Sequence, residues 1–219
     1  MTLAQRAAVH RALGEPHRLR IVDALRRSDR TPSELAALTG LGTNLLAFHL
    51  DVLTDAEVIT RHRSEGDARR RYVRLDPGVS AVIGPSPDEP SVAPEQVLFV
   101  CTANSARSQF AAALYRRVTG RPAESAGSAP AETVHPLAVR VGARYGLDLT
   151  GCRPRSYREV TTAPAVVVSV CDRARESGPP SAPVQLHWSV ADPVGRGEAA
   201  FEAAFDELHT RVQALACAA

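Results

Sequence analysis

The sequence predicts two domains of different class. A mostly α-helical winged helix-turn-helix occupies residues 1–78, and an α/β domain occupies residues 96–219. Three observations carry this. Four prolines fall in the eleven residues from Gly84 to Pro94, a stretch with almost nothing to bury, so residues 79–95 read as an extended, semi-rigid linker. Ahead of it, two short helical patterns meet at Gly40-Leu41-Gly42. Behind it, the apolar run Val97-Leu98-Phe99-Val100 enters a loop of small residues that opens a helix. A chain of 219 residues has room for two cores of this size.

Composition narrows the function. The apolar content of 44% and charged content of 23% exclude a long disordered or fibrous chain. No apolar run approaches the roughly 18 residues of a membrane span, and the first residues lack a signal-peptide core, so a soluble, cytoplasmic protein without a membrane partner is expected. Every one of the 26 basic residues is Arg. Residues 1–78 carry 13 Arg against 10 acids, net +3, and the remainder 13 against 14, net −1. Any contact that needs a permanent cation must therefore rest on Arg. The four cysteines (Cys101, Cys152, Cys171, Cys217) all lie in the second part. They are too few for a disulfide scaffold and read as core fillers, metal ligands or reactive thiols.

In the first domain, Leu19, Ile21, Val22 and Leu25 form a helical stripe after Glu15-Pro16, with Pro16 suited to the first turn. Thr31 caps the next helix, which runs through Leu35 and Leu38, with Pro32 in its first turn and Glu34 completing a capping box. After the glycine break a helix runs from Thr43 through Leu46, Leu50 and Leu53, completing a helix-turn-helix. Val58–Arg63 and Arg69–Leu75 then form a β-hairpin whose tip and second strand carry Arg, placed to touch phosphates.

Leu13-Gly14-Glu15-Pro16-His17-Arg18-Leu19-Arg20-Ile21, the segment His49-Leu50-Asp51-Val52-Leu53, and Tyr72-Val73-Arg74-Leu75 resemble the ArsR/SmtB winged-helix repressors over residues 5–76. The resemblance implies a homodimer, formed through this domain, on a double-stranded DNA operator, with the second helix in the major groove. It implies base-facing roles for Thr43, Asn44, Ala47 and His49, and backbone contacts from Arg61, Arg63, Arg69, Arg70 and Arg71. Two features depart from that pattern. The helix carries Leu45, Leu46, Ala47 and Phe48 where small polar residues are usual, and Asp51 where a base is common. The Cys-x-Cys pair of arsenite-sensing members is absent, since Ser28–Glu34 holds no thiol.

In the second domain, Val97–Val100 suits a buried parallel strand. Cys101-Thr102-Ala103-Asn104-Ser105-Ala106-Arg107-Ser108 follows, then a helix through Phe110, Leu114 and Val118. A Cys-x5-Arg spacing is weak alone, because four cysteines in an Arg-rich chain yield on the order of half a chance match. Cys152 and Arg158 make a second match. That segment has bulky residues, a proline and no preceding strand, so its amides do not converge. The loop at Cys101 has small residues and a helix dipole behind it. Its N–H groups and the Arg107 fork form an oxyanion cradle from Thr102, Ala103, Asn104, Ser105 and Ala106, and the same field favours the Cys101 thiolate.

With Ser125-Ala126-Gly127-Ser128, His135-Pro136-Leu137-Ala138, Gly146-Leu147-Asp148-Leu149, Val166–Cys171 and Trp188–Pro193, this loop resembles the low-molecular-weight protein tyrosine phosphatases and, more closely, their arsenate reductase branch. The resemblance implies a four-stranded parallel sheet flanked by helices, the last with the stripe Phe201, Phe205, Leu208, Val212 and Leu215. It implies Cys101 as nucleophile, Arg107 holding the oxyanion, Ser108 bonding the thiolate, Asn104 fixing the loop and Asp192 as general acid. Val194-Gly195 follows Asp192-Pro193 where the phosphatases favour an aromatic pair, which points to a small arsenate- or phosphate-like oxyanion.

The redox relay is incomplete by the same comparison. Cys171 stands where the thioredoxin-linked branch has its second cysteine, but seven residues on is Gly178, and Cys217 reads as incidental. Reduction then needs an external thiol: a mycothiol- or glutaredoxin-type small thiol attacking the Cys101 adduct, or thioredoxin opening a Cys101–Cys171 disulfide. No bound cofactor or metal is expected. The expectation is an arsenate reductase fused to a transcriptional regulator domain. The alternatives are a non-catalytic oxyanion-sensing regulator and a phosphotyrosine phosphatase.

Overall fold

The computed structural model describes residues 1–84, 92–161 and 163–216. It forms two compact units, one of residues 1–64 and 68–89, the other of residues 90–219 and the stretch 65–67.

The first unit is helical with one hairpin. Helices α1 (Leu3–Leu13), α2 (Pro16–Leu25), α3 (Pro32–Thr39) and α4 (Thr43–Asp55) precede strands β1 (Ile59–Arg63) and β2 (Arg71–Leu75), and α5 (Pro77–Ile83) follows. The start signals act as expected. The Glu15 carboxylate accepts the Arg18 amide at 2.9 Å ahead of Pro16. Thr31 Oγ1 accepts the Glu34 amide while Glu34 accepts the Thr31 amide, a closed capping box. Gly40 ends α3 at φ +71°, a left-handed turn that costs glycine nothing. Ile21, Val22, Leu25, Leu35, Leu46, Leu50 and Leu53 make the core. Leu19 and Leu38 do not; each is over two-fifths exposed.

Helix α5 corrects the expected linker. Asp76 Oδ1 accepts the Gly78 amide at 2.9 Å, Pro77 sits in the first turn, and Val79 is fully buried with Val82 and Ile83 packed on the same core. Apolar spacing of three and four therefore continues the fold to Ile83, inside the stretch read as linker. Most of that proline-rich stretch, residues 85–91, lies outside the described residues, as does Cys217.

The second unit is a four-stranded, all-parallel sheet of order β4-β3-β5-β6, from β3 (Val97–Cys101), β4 (Ala123–Gly127), β5 (Val166–Ser169) and β6 (Val184–His187). Helices α6 (Arg107–Thr119), α7 (Pro136–Arg144), α8 (Asp172–Glu176) and α9 (Glu198–Ala216) connect and cover it. Alternate residues of β3 serve opposite faces. Val97, Phe99 and Cys101 join the core under α6 and α9, whereas Leu98 and Val100 pack with Tyr157 and Val160. The whole predicted stripe of α9 is buried, but Val118, in the last turn of α6, is 40% exposed. The chain leaves β3 toward β4 on one side and β5 toward β6 on the other. The carboxyl ends of the neighbours β3 and β5 thus open a crevice at the switch in strand order. No single helix among the described residues is long and apolar enough to cross a membrane.

Candidate functional site

Cys101 ends β3 at that crevice, and its buried thiol begins a tight loop that closes at Arg107, the first residue of α6. The loop's carbonyls are tied outward. Those of Cys101, Thr102, Ala103 and Ser105 accept the amides of Ser128, Ala129, Ala131 and His135 at 2.9–3.2 Å. With these carbonyls turned away, the amide of Asn104 is left facing the thiol. Gly127 makes the approach possible: a Cβ there would lie 2.4 Å from the Thr102 carbonyl oxygen.

Asn104 is the pivot. It is fully buried and takes a left-handed φ of 50°, which asparagine tolerates better than most residues. Its amide donates to Cys101 Sγ at 3.1 Å, and its Nδ2 donates to Ser108 Oγ at 2.8 Å. Ser108 Oγ lies 3.0 Å from Cys101 Sγ. Because the Ser108 oxygen accepts from Asn104, its own hydrogen is free to point at sulfur. The side-chain oxygen of Asn104 accepts the Arg155 amide at 2.9 Å and Gln109 Nε2 at 3.3 Å. Gln109 Nε2 also donates to the carbonyls of Asn104 and Arg153.

Arg107 is 7% exposed. Its Nη1 donates to the Val190 carbonyl at 2.9 Å, and its Nη2 lies 3.0 Å from Asp192 Oδ2. The fold therefore brings Cys101, Arg107, Ser108, Asn104 and Asp192 together, from loops more than eighty residues apart in sequence. Cys171 is also present. It follows β5, is buried, and lies 3.5 Å from Thr102 Oγ1, with the Ala174 amide donating to its sulfur at 3.4 Å. Burial, reinforced by the Cys101 thiol's charge, pushes the Cys171 thiol above its ordinary value.

Three parts of the site carried no readable signal. Gln109 and the Arg153–Arg155 backbone lock Asn104, although Cys152–Arg158 reads as a segment without an anion site of its own. Cys152 itself is half-buried and packs against the core edge. Tyr157 donates its hydroxyl to the Cys101 carbonyl at 3.4 Å, and burial beside the two thiols raises that phenol. Next to Cys171, Asp172 Oδ1 receives Ser189 Oγ at 2.5 Å and lies 3.1 Å from His187 Nε2, and Ser169 Oγ lies 3.0 Å from His187 Nδ1. Burial alone would raise the Asp172 carboxyl, but the bonds from His187 and Ser189 hold it below the ordinary aspartate value.

The sequence profile described as low molecular weight phosphotyrosine protein phosphatase matches residues 96–219, more than half the chain. The chain belongs to this family. Within the low-molecular-weight phosphatases, its similar relatives include arsenate reductase 1 of Bacillus cereus, 30% identical over 53% of this chain and 90% of its own. The arsenate reductase of Brevibacillus brevis is 30% identical over 55% of this chain and 92% of its own. A solved arsenate reductase of Archaeoglobus fulgidus is 34% identical over 53% of this chain and 95% of its own, with a TM-score of 0.47. A helix-turn-helix domain profile matches residues 13–62. The chain thus joins a helix-turn-helix domain to a phosphatase-family domain of arsenate reductase type.

In the helix-turn-helix, Thr43, Asn44 and Ala47 lie on the exposed face of α4, with Arg61, Arg63, Arg69, Arg70 and Arg71 exposed on the hairpin. Arg69–Arg71 and Thr31–Ser33 line a cleft of about 480 Å³. His49 corrects its expected role: it is 5% exposed, with Nδ1 3.5 Å from Glu15 Oε2 and its ring beside His17. One residue beyond Phe48, the helical turn points it into the core rather than outward.

Proposed function

We propose that the chain reduces arsenate to arsenite at Cys101 and that its helix-turn-helix domain binds double-stranded DNA as a homodimer. The observation that carries the catalytic half is the Arg107–Asp192 pair at 3.0 Å beside a thiol that receives the Asn104 amide and faces the Ser108 hydroxyl. An oxyanion-binding module needs the Arg but has no use for the acid.

In the first step Cys101 sulfur attacks arsenic. One As–O bond breaks, and the leaving oxygen takes a proton from Asp192 and departs as water. Arg107 and the loop amides of Thr102–Ala106 hold the remaining oxygens. In the second step a thiolate attacks Cys101 sulfur. An S–S bond forms, the S–As electron pair stays on arsenic, and arsenite leaves. A further thiol then reduces the disulfide and returns Cys101. Within the chain, Cys171, in contact with Thr102 of the cradle, is the candidate for the thiolate that attacks Cys101. Its raised value keeps it protonated at neutral pH, which favours an external small thiol of the mycothiol or glutaredoxin kind.

The test is arsenate reduction by the purified chain, with a small thiol or thioredoxin as donor. Cys101→Ser abolishes turnover under this reading, while Cys171→Ser retains it with the small thiol. Turnover by Cys101→Ser, or none by the native chain with either donor, refutes it. Para-nitrophenyl phosphate hydrolysis exceeding arsenate reduction would favour the phosphatase alternative.

A further inference from the structure

The outward face of α4 is apolar where a DNA-reading helix is usually polar. Its buried stripe is Leu46, His49, Leu50 and Leu53; the opposite face exposes Thr43, Asn44, Leu45, Ala47, Phe48 and Asp51. Leu45 is 49% exposed and Phe48 57%, on a helix that already has a complete inner stripe. Core formation therefore does not explain them. Of the two exposed acids of α4, Asp51 is paired with Arg61 Nη2 at 2.7 Å, and Asp55 is the last residue of the helix, at the end away from Asn44 and Leu45. The hairpin of the same unit exposes Arg63, Arg69, Arg70 and Arg71. An apolar helix face in a unit whose hairpin exposes guanidinium groups complements a polyanion that presents apolar groups in a groove wide enough for a helix. Duplex DNA presents one such group in its major groove, the C5-methyl of thymine, which side chains read by apolar contact rather than by hydrogen bonds.

We infer that Leu45 and Phe48 make α4 a reader of thymine methyl groups, with Ala47 leaving room between them and Asn44 supplying the polar contact at the start of the helix. This rests on the DNA-binding reading above and adds to it the chemistry by which sequence is recognised. Selectivity then depends on methyl groups, not on the donor and acceptor pattern that arginine or glutamine would read.

The experiment uses the full chain and duplexes that it enriches from a random-sequence pool. Affinity is measured by fluorescence anisotropy for an enriched duplex and for the same duplex with deoxyuridine at every thymine. Removing a buried methyl costs about fourfold in affinity, so two contacts lower binding about fifteenfold. The variant Leu45→Ala/Phe48→Ala, altered only at exposed positions, should bind the two duplexes equally. Equal binding of both duplexes by the native chain overturns the inference while leaving DNA binding intact. Discrimination that survives in the double variant also overturns it. Failure to retain any duplex at low salt overturns the DNA-binding reading itself, and this inference with it. A shift from dimer to monomer in the double variant, without thymine discrimination in the native chain, assigns the face to contact between copies instead.

Discussion

Replacing Asn104 by Ala separates the two things this residue does for the cradle. The substitution keeps the backbone amide that donates to Cys101 but removes the bond to Ser108 and the acceptor used by the Arg155 amide and Gln109. Gln109 keeps the carbonyls of Asn104 and Arg153. The Arg155 amide keeps nothing in its place, at a cost of about 1–3 kcal/mol for a covered, unpaired donor. Holding alanine at a left-handed φ adds about 1 kcal/mol. The loss is therefore about 2–4 kcal/mol. Asn104→Gly removes the same bonds without the backbone strain and should be less destabilising than Asn104→Ala by about 1 kcal/mol. The chain's single tryptophan, Trp188, is buried in this unit, so urea unfolding followed by its fluorescence reports on the correct domain. Turnover should fall in both variants, because the Ser108 hydroxyl loses the donor that orients it. Variants within about 0.5 kcal/mol of the native chain, or alanine as stable as glycine, would refute this account of the loop.

Other expectations follow from the same contacts. Gly127→Ala drives a Cβ into the Thr102 carbonyl, so the Trp188 transition should move by more than about 2 kcal/mol and arsenate reduction should collapse. Asp172 has a folded-state value below its ordinary 3.8, so it contributes stability that is complete at neutral pH and is lost as the pH falls below that value. Asp172→Asn should flatten the acid limb of a stability–pH profile read through Trp188. Cys171, raised by burial, should react with iodoacetamide far more slowly than Cys101 at pH 7, as peptide mass mapping after timed labelling would check. Replacing Arg69, Arg70 and Arg71 together by Ala should lower the slope of log affinity against log salt for DNA by up to about three, at about 0.9 per lost phosphate contact.

The sequence was most legible where local chemistry decides structure. The Thr31–Glu34 box, the Pro16 start and the α9 stripe depend on neighbours within one turn of helix, and each formed as read. The cradle was legible for a similar reason, since strand, small-residue loop and helix are contiguous from Val97 to Thr119. Periodicity overreached at Leu19, Leu38 and Val118, which match an apolar helical spacing yet stay exposed. His49 shows the converse: one position along a helix turns a side chain by about 100°, which carried it from the expected DNA face into the core beside Glu15. The ties of Arg153 and Arg155 to Asn104 span about fifty residues and use mainly backbone atoms, so side-chain identity could not announce them. The Asp172–His187–Ser189 cluster joins three short segments only because β5 and β6 are paired.

The strand order has a consequence for how this domain can diversify. The anion seat is built on β3, α6 and their supports, whereas Cys171 belongs to the separate excursion after β5, touching the seat through Thr102. Under the reading proposed above, the oxyanion seat and the second thiol thus belong to different excursions of the chain. The surroundings of Cys171 could therefore change without any change in the loop from Cys101 to Arg107.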